Sequence, residues 1–184
     1  MTAPDILEAT VLRDDGAPQR ASLRFMLRHP AHWIALGFGS GLAPNAPGTV
    51  GTLWAWAAFL VLDRWLAGAW GWVLLASLLV GVWACMRTAA DLGVADPGAI
   101  VWDEVLAFWL VLWLLMPAGF VGQLVAFALF RYFDAAKPGP VRWADQLFKH
   151  ARGWRQGFGI VFDDLVAALC TLLVIALARF AWPA

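Results

Sequence analysis

The sequence predicts an all-α integral membrane protein: a bundle of transmembrane helices with a Gly-rich loop, a short helical hairpin at about 104–133, and a polar site at the cytoplasmic membrane face. Three observations lead there. Of 184 residues, 62% are hydrophobic and 14% charged, whereas a soluble domain carries about 25% charged residues. That balance excludes a water-soluble globule and a disordered chain. The apolar residues fall in long runs broken by Gly, Pro and charge, and the length allows roughly three to five spans of about 20 residues. Thirteen Trp are present, and Trp rings gather at the headgroup level of bilayers. With 13 Lys+Arg against 13 Asp+Glu, no basic excess marks a nucleic-acid partner.

Taken in order, residues 1–20 are polar, with Asp5, Glu8, Asp14 and Asp15, so no signal peptide is expected. Residues 21–29 place Leu23, Met26 and Leu27 on one helical face and Arg24 and Arg28 on the other, the pattern of a short interfacial helix ended by Pro30. Residues 1–36 thus form a polar N-terminal segment, and 37–184 a single membrane-embedded domain. Residues 37–53 open with five Gly and two Pro in 15 positions, a loop by composition. An apolar helix follows from about Leu53 to Leu62. The residues from Asp63 to Trp72 read as a tight interfacial turn, and a second helix runs from about Trp72 to Thr88.

The stretch from Val105 to Phe130 would span about 39 Å as one helix, more than the roughly 30 Å hydrocarbon core. Pro117, Ala118 and Gly119 interrupt it, which favours two short helices, about 104–116 and 120–133, over one long kinked helix. A hairpin returns Asp134 to the side of Asp103 and Glu104; a single helix separates them by the bilayer. Residues 134–157 are polar and basic, with an amphipathic helix from about Val141, and the last span runs from about Asp164 to Phe180. On this topology 11 of the 13 Lys+Arg lie on one face, which the positive-inside rule makes cytoplasmic.

The same face collects Asp96, Asp103, Glu104, Asp134, Asp163 and Asp164. Carboxylates at helix starts act as caps and complement the helix dipole. Acids at the edge of lipid also mark functional sites, and an oxygen-liganded divalent cation such as Mg²⁺ would neutralise them. Both readings stay open on spacing alone. Adjacent helical residues point about 100° apart, so one member of each acidic pair is expected to ligate while the other orients a water. Gly48, Thr49, Gly51 and Thr52 lead into a helix, an N-terminus able to seat an anion, although the Walker pattern is absent. Arg131 and Lys137 flank Asp134 and are candidates for binding phosphate or for a snorkelling role. Cys85 and Cys170 lie in apolar runs, and His29, His32 and His150 form no ligand pair at helical spacing.

Four segments together resemble the bacterial phosphatidylglycerophosphatase A family: HPAHWIALGFGSGLAPNAPGTVGTL, DPGAIVWDE, FRYFDAAKPGPVRW and GFGIVFDD, in that order from His29 to Asp164. Ala107 and Ala168 stand where that family usually has Gly. The resemblance implies Mg²⁺-dependent hydrolysis of the phosphate monoester of phosphatidylglycerophosphate, a phospholipid substrate held in the bilayer, at the cytoplasmic face of the inner membrane. Such hydrolysis needs charge stabilisation at the phosphoryl group and a positioned nucleophile. The expected assignment gives Mg²⁺ to Asp103, Asp134, Asp163 and Asp164, and the terminal phosphate to Arg131, Lys137 and the Gly48, Thr49, Gly51, Thr52 segment. Glu104 or Asp96 is the expected general base, with Asp164 also catalytic; a competing scheme makes one Asp the nucleophile. Rival functions are a phosphatase for another lipid monoester and a small cation carrier. The charge-free runs 53–62 and 105–116 weigh against the carrier, since carriers place charge near mid-membrane.

Overall fold

The computed structural model describes residues 20–181, which are helical or irregular with no strand among them. The expectation for the N-terminal 19 residues lies outside that range. Two short helices come first, α1 (Leu23–Met26) and α2 (Pro30–Ala35), then a 3-10 segment, Gly37–Leu42. Six further helices follow: α3 (Pro47–Leu66), α4 (Trp70–Leu92), α5 (Trp102–Leu115), α6 (Phe120–Ala136), α7 (Pro140–Leu147) and α8 (Trp154–Ala181).

Local chemistry explains the boundaries. Ser22 and His29 cap α1 and α2 by accepting from Phe25 N–H and Ala31 N–H. Pro30, Pro47 and Pro140 open α2, α3 and α7, at the one helical turn where a missing N–H costs nothing. Gly93 ends α4 in the left-handed region at φ 69°. The break at Met116–Gly119 turns the chain back, so that α6 runs beside α5 and Arg131 comes within 3.6 Å of Glu104.

Several boundaries and one helix face differ from the sequence expectation; α3 runs on through Asp63, Arg64 and Trp65 to Leu66, where a turn is expected, and α4 spans Trp70–Leu92, beyond the expected 72–88. The segment Gly48–Thr52 is the first turn of α3, not loop; glycine stands there because neighbouring side chains approach the helix too closely for a Cβ. Helix α8 begins ten residues before Asp164. Its polar, glycine-containing first turns resemble loop by composition, yet a Cβ at Gly157 would strike the α4 backbone at Val82, and one at Gly159 would strike Phe148. Two helical glycines, each costing about 1 kcal/mol, are offset by this close packing. In α1, Met26 turns inward with Phe25 while Leu23 and Leu27 face out, because a single turn anchored on Leu36 and Leu92 leaves no room for the expected wider face.

The core is organised around α5. This 14-residue helix is about 21 Å long and is buried nearly all round, with Val105, Ala107, Phe108, Val111 and Leu112 fully enclosed, as befits a helix apolar on every side. It packs against α3, α4, α6 and most extensively α8. Ala107 and Ala168 are both fully buried in this core. Around it, α4 and α8 are long and apolar enough to cross a membrane, and they turn Trp72, Leu79, Leu173 and Leu177 outward. Such extended apolar exposure marks a surface that lipid covers.

Candidate active site

The first turn of α5 carries Asp103 and Glu104, and α8 supplies Asp164. These three residues each place a carboxylate oxygen within 4.8 Å of the others, and they are only 8%, 9% and 3% exposed. Asp164 lies in mid-helix and α5 is preceded by Val101, with no side-chain cap. Capping therefore does not account for Asp164, while Asp103 and Glu104 stand in the first turn of α5, where acids complement the helix dipole. Glu104 N–H donates to Asp103 Oδ1 at 3.0 Å, and Asp134, from the last turns of α6, is within hydrogen-bonding reach of Asp164.

One cation serves the group. Arg131 of α6 donates to Asp134, lies 3.6 Å from Glu104 Oε1, and reaches Thr52 Oγ1 at 3.5 Å. Asp103 and Asp164 have no ion-pair partner among the described residues, and Glu104 Oε2 is buried without a hydrogen-bond partner. A buried carboxylate costs several kcal/mol unless paired, so four carboxylates around one guanidinium form a site short of positive charge. Hard oxygen donors in such a set match the ligand preference of Mg²⁺.

The α3 start closes the site from the side. A Cβ at Gly48 would collide with Glu104 Oε1 and stand 3.2 Å from both terminal nitrogens of Arg131. Only glycine lets the α3 backbone come this near the acids. Gly51 is likewise pressed on Val101, and Thr52 Oγ1 donates to Gly48 O at 2.8 Å. Thr49 is half-buried in the same turn.

Asp163 stands apart from the three-acid group. It pairs at 2.5 Å with Lys137 Nζ, which also donates to Asp145 of α7. Burial would lower the Lys137 pKa, but the two carboxylates outweigh it and hold it above the ordinary lysine value. Asp163 and Asp96 line a cavity of about 390 Å³ together with Asp145, Lys149 and His150, on a wall that also includes Phe148 and Ile160. Burial raises the Asp96 carboxyl above its usual range, and Asp96 feels both Lys137 and Asp134. Asp145 escaped the sequence reading because nothing in an isolated amphipathic helix distinguishes it from solvated charge.

The class these features define is a helical membrane hydrolase, with carboxylates suited to a hard cation beside a guanidinium suited to a phosphate. The phosphatidylglycerophosphatase A family model matches residues 33–179. The chain is 35% identical over 163 residues to phosphatidylglycerophosphatase A of Escherichia coli, covering 89% of this chain and 91% of that protein. It is 40% identical over 154 residues to phosphatidylglycerophosphatase A of Haemophilus influenzae, covering 83% and 90%. A Bacteroides thetaiotaomicron protein named a putative phosphatidylinositol-3-phosphatase is 36% identical over 155 residues, covering 80% and 92%. No solved structure matches. This chain belongs to the phosphatidylglycerophosphatase A family and is an enzyme, a phosphoric monoester hydrolase.

Proposed function

We propose that the protein hydrolyses the terminal phosphate monoester of phosphatidylglycerophosphate to phosphatidylglycerol and phosphate, with Mg²⁺, at the cytoplasmic face of the inner membrane. The observation that carries this reading is the Asp103, Glu104 and Asp164 group, short of positive charge and with Glu104 Oε2 unpartnered, directly beside Arg131. Asp103, Glu104 and Asp164 would hold the metal ion; against the sequence expectation, Glu104 joins this set from the role of base, while Asp134 and Asp163 leave it. A bound Mg²⁺ supplies Lewis-acid polarisation of the phosphoryl oxygens.

The chain's own residues do the rest. Arg131 has five N–H donors, and only part of that fork is engaged by Asp134, Glu104 and Thr52. Its remaining donors take the phosphate oxygens, and Asp134 fixes the guanidinium plane. The α3 N-terminus at Gly48 and Thr49 adds backbone N–H groups and the positive end of the helix dipole. Asp96, on the wall of the cavity, receives the proton of the attacking water, a role suited to a carboxyl whose basicity burial has raised. Asp163 and Lys137 position the α7–α8 wall of that cavity. The diacylglycerol part stays in lipid while the headgroup reaches the acids.

The relative named a putative phosphatidylinositol-3-phosphatase supports a second reading, the same chemistry on a phosphorylated inositol headgroup. Phosphate release by purified protein in detergent micelles separates the two, with phosphatidylglycerophosphate, phosphatidylinositol 3-phosphate and phosphatidic acid compared with and without Mg²⁺. Preference for the first lipid by at least about tenfold is expected. Equal or greater turnover of the inositol lipid transfers the assignment to it, and no release from any of the three removes the phosphatase reading.

A further inference from the structure

Beside α2, an open groove of about 480 Å³ is lined by Leu27, Arg28, Trp33, Ile34 and Phe38. Its outer rim continues to Leu23, which is exposed. The groove has a preformed wall. His32 is hydrogen-bonded through Nδ1 to Phe25 O and through Nε2 to Asp91 Oδ2, each at 2.9 Å, and stacks on Phe25 at 4.0 Å. This ties α1 and α2 to the end of α4. The ring of His29, which lines the groove, packs on Trp83, eight residues before Asp91, so the two α4 anchor points are about 12 Å apart. That distance reaches from headgroup level into the acyl region of a bilayer.

Two features distinguish the groove from ordinary lipid-facing surface. First, among the described residues its charge is of one sign: Arg28 is exposed without an ion-pair partner, Arg20 is exposed nearby in sequence, and no acid lines the groove. Second, Phe38 is held at φ 54° while 51% exposed, stacked on Trp54 and edge-on to Trp102. A bulky residue in the left-handed region costs about 1–3 kcal/mol, and burial of its ring does not repay it here. Glycine would occupy this position without strain.

The geometry points to a seat for one anionic phospholipid of the surrounding leaflet, its phosphate on Arg28 and an acyl chain along Trp33, Ile34 and Phe38. The seat is separate from the acid group and depends on the chain's placement in a membrane, not on the reaction assigned to it. Cationic and apolar groups arranged in this order match an anionic headgroup above an acyl chain, and a zwitterionic headgroup gains less from the cations.

Native mass spectrometry of delipidated protein, re-exposed to phosphatidylglycerol or phosphatidylcholine, tests the seat. The wild type should retain one phosphatidylglycerol about tenfold more tightly than phosphatidylcholine. Arg28→Gln should abolish that preference. Phe38→Gly, which relieves the backbone and keeps the fold, should weaken retention of both lipids several-fold. Each variant keeps its phosphatase turnover in detergent with the same substrate. Equal retention of the two lipids by the wild type, or an unchanged preference in Arg28→Gln, overturns the proposal. Loss of turnover in the wild type would instead count against the phosphatase assignment and leave the seat standing.

Discussion

Two groups of buried acids lie side by side in this protein and are treated in opposite ways. Asp163 and Asp145 share Lys137, two carboxylates closed around one ammonium on the α7–α8 side. Asp103, Glu104, Asp134 and Asp164 share Arg131, which leaves Asp103 and Asp164 without a cation and Glu104 Oε2 without any partner. A closed ion-pair cluster is an internal support. An open one holds its acids in low dielectric at a cost that only a further cation or a proton offsets. On the function proposed above, the chemistry falls to the second group and the scaffold to the first.

The largest test of that division removes the open group's charge. Asp103→Asn and Asp164→Asn should each lower phosphate release by about a thousandfold or more while leaving the helical circular dichroism in detergent unchanged. Chelation of divalent cations should give a loss of the same order, reversed by Mg²⁺. Turnover near wild type in either variant would sink the metal role of that residue. Arg131→Ala should cost about 10²- to 10³-fold in kcat, the loss seen when one preorganised charge-stabilising donor is removed. Arg131→Lys should recover little of it, because an ammonium lacks the planar fork.

Asp96 lines the cavity beside the closed group, with Asp145 and Asp163, and gives a pH readout. A base works ionised, and burial places this carboxyl above its ordinary range, so activity should rise with pH through a limb above about pH 4. Asp96→Asn should lower kcat by about a hundredfold and flatten that limb. A variant that loses rate yet keeps the same acid limb would show that another group carries the proton.

Lys137→Met probes the closed group and should behave differently. It leaves Asp163 and Asp145 facing each other unpaired, at a stability cost of about 2 kcal/mol, read as a lower unfolding midpoint in detergent. Below that midpoint the residual activity should fall much less than in Asp164→Asn, and Lys137→Arg should restore the midpoint. An activity loss as deep as that of Asp164→Asn, with the midpoint unmoved, would place Lys137 on the substrate.

The acidic pairs were visible in the sequence, but their division was not. Asp163 and Asp164 point to different neighbours, as the 100° helical spacing requires. Asp103 and Glu104 nevertheless converge, since the longer glutamate arm reaches back to the same space. The break at Pro117–Gly119 identified where the chain turns, because proline and glycine act locally. What the sequence could not supply was the reason for glycine at 48, 157 and 159. Composition reads such residues as loop, whereas here they are helical positions at which another element presses on the backbone. Those contacts come from tertiary packing, and no local pattern records them.

Thr52 offers the finest test of how the open group is held. Its hydroxyl donates to Gly48 O and receives Arg131 at 3.5 Å, a distance at the long limit of a hydrogen bond. Thr52→Val keeps the buried volume and the α3 helix but removes both contacts. A hydrogen bond this long, although its donor is a charged guanidinium, is worth about 1 kcal/mol, so kcat should drop about fivefold with little change in KM. Arg131 remains fixed by Asp134 on its other side, which keeps the effect small. A loss approaching that of Arg131→Ala would mean that Thr52, not Asp134, orients the guanidinium, and the α3 N-terminus would then both face the phosphate and hold its main cation in place.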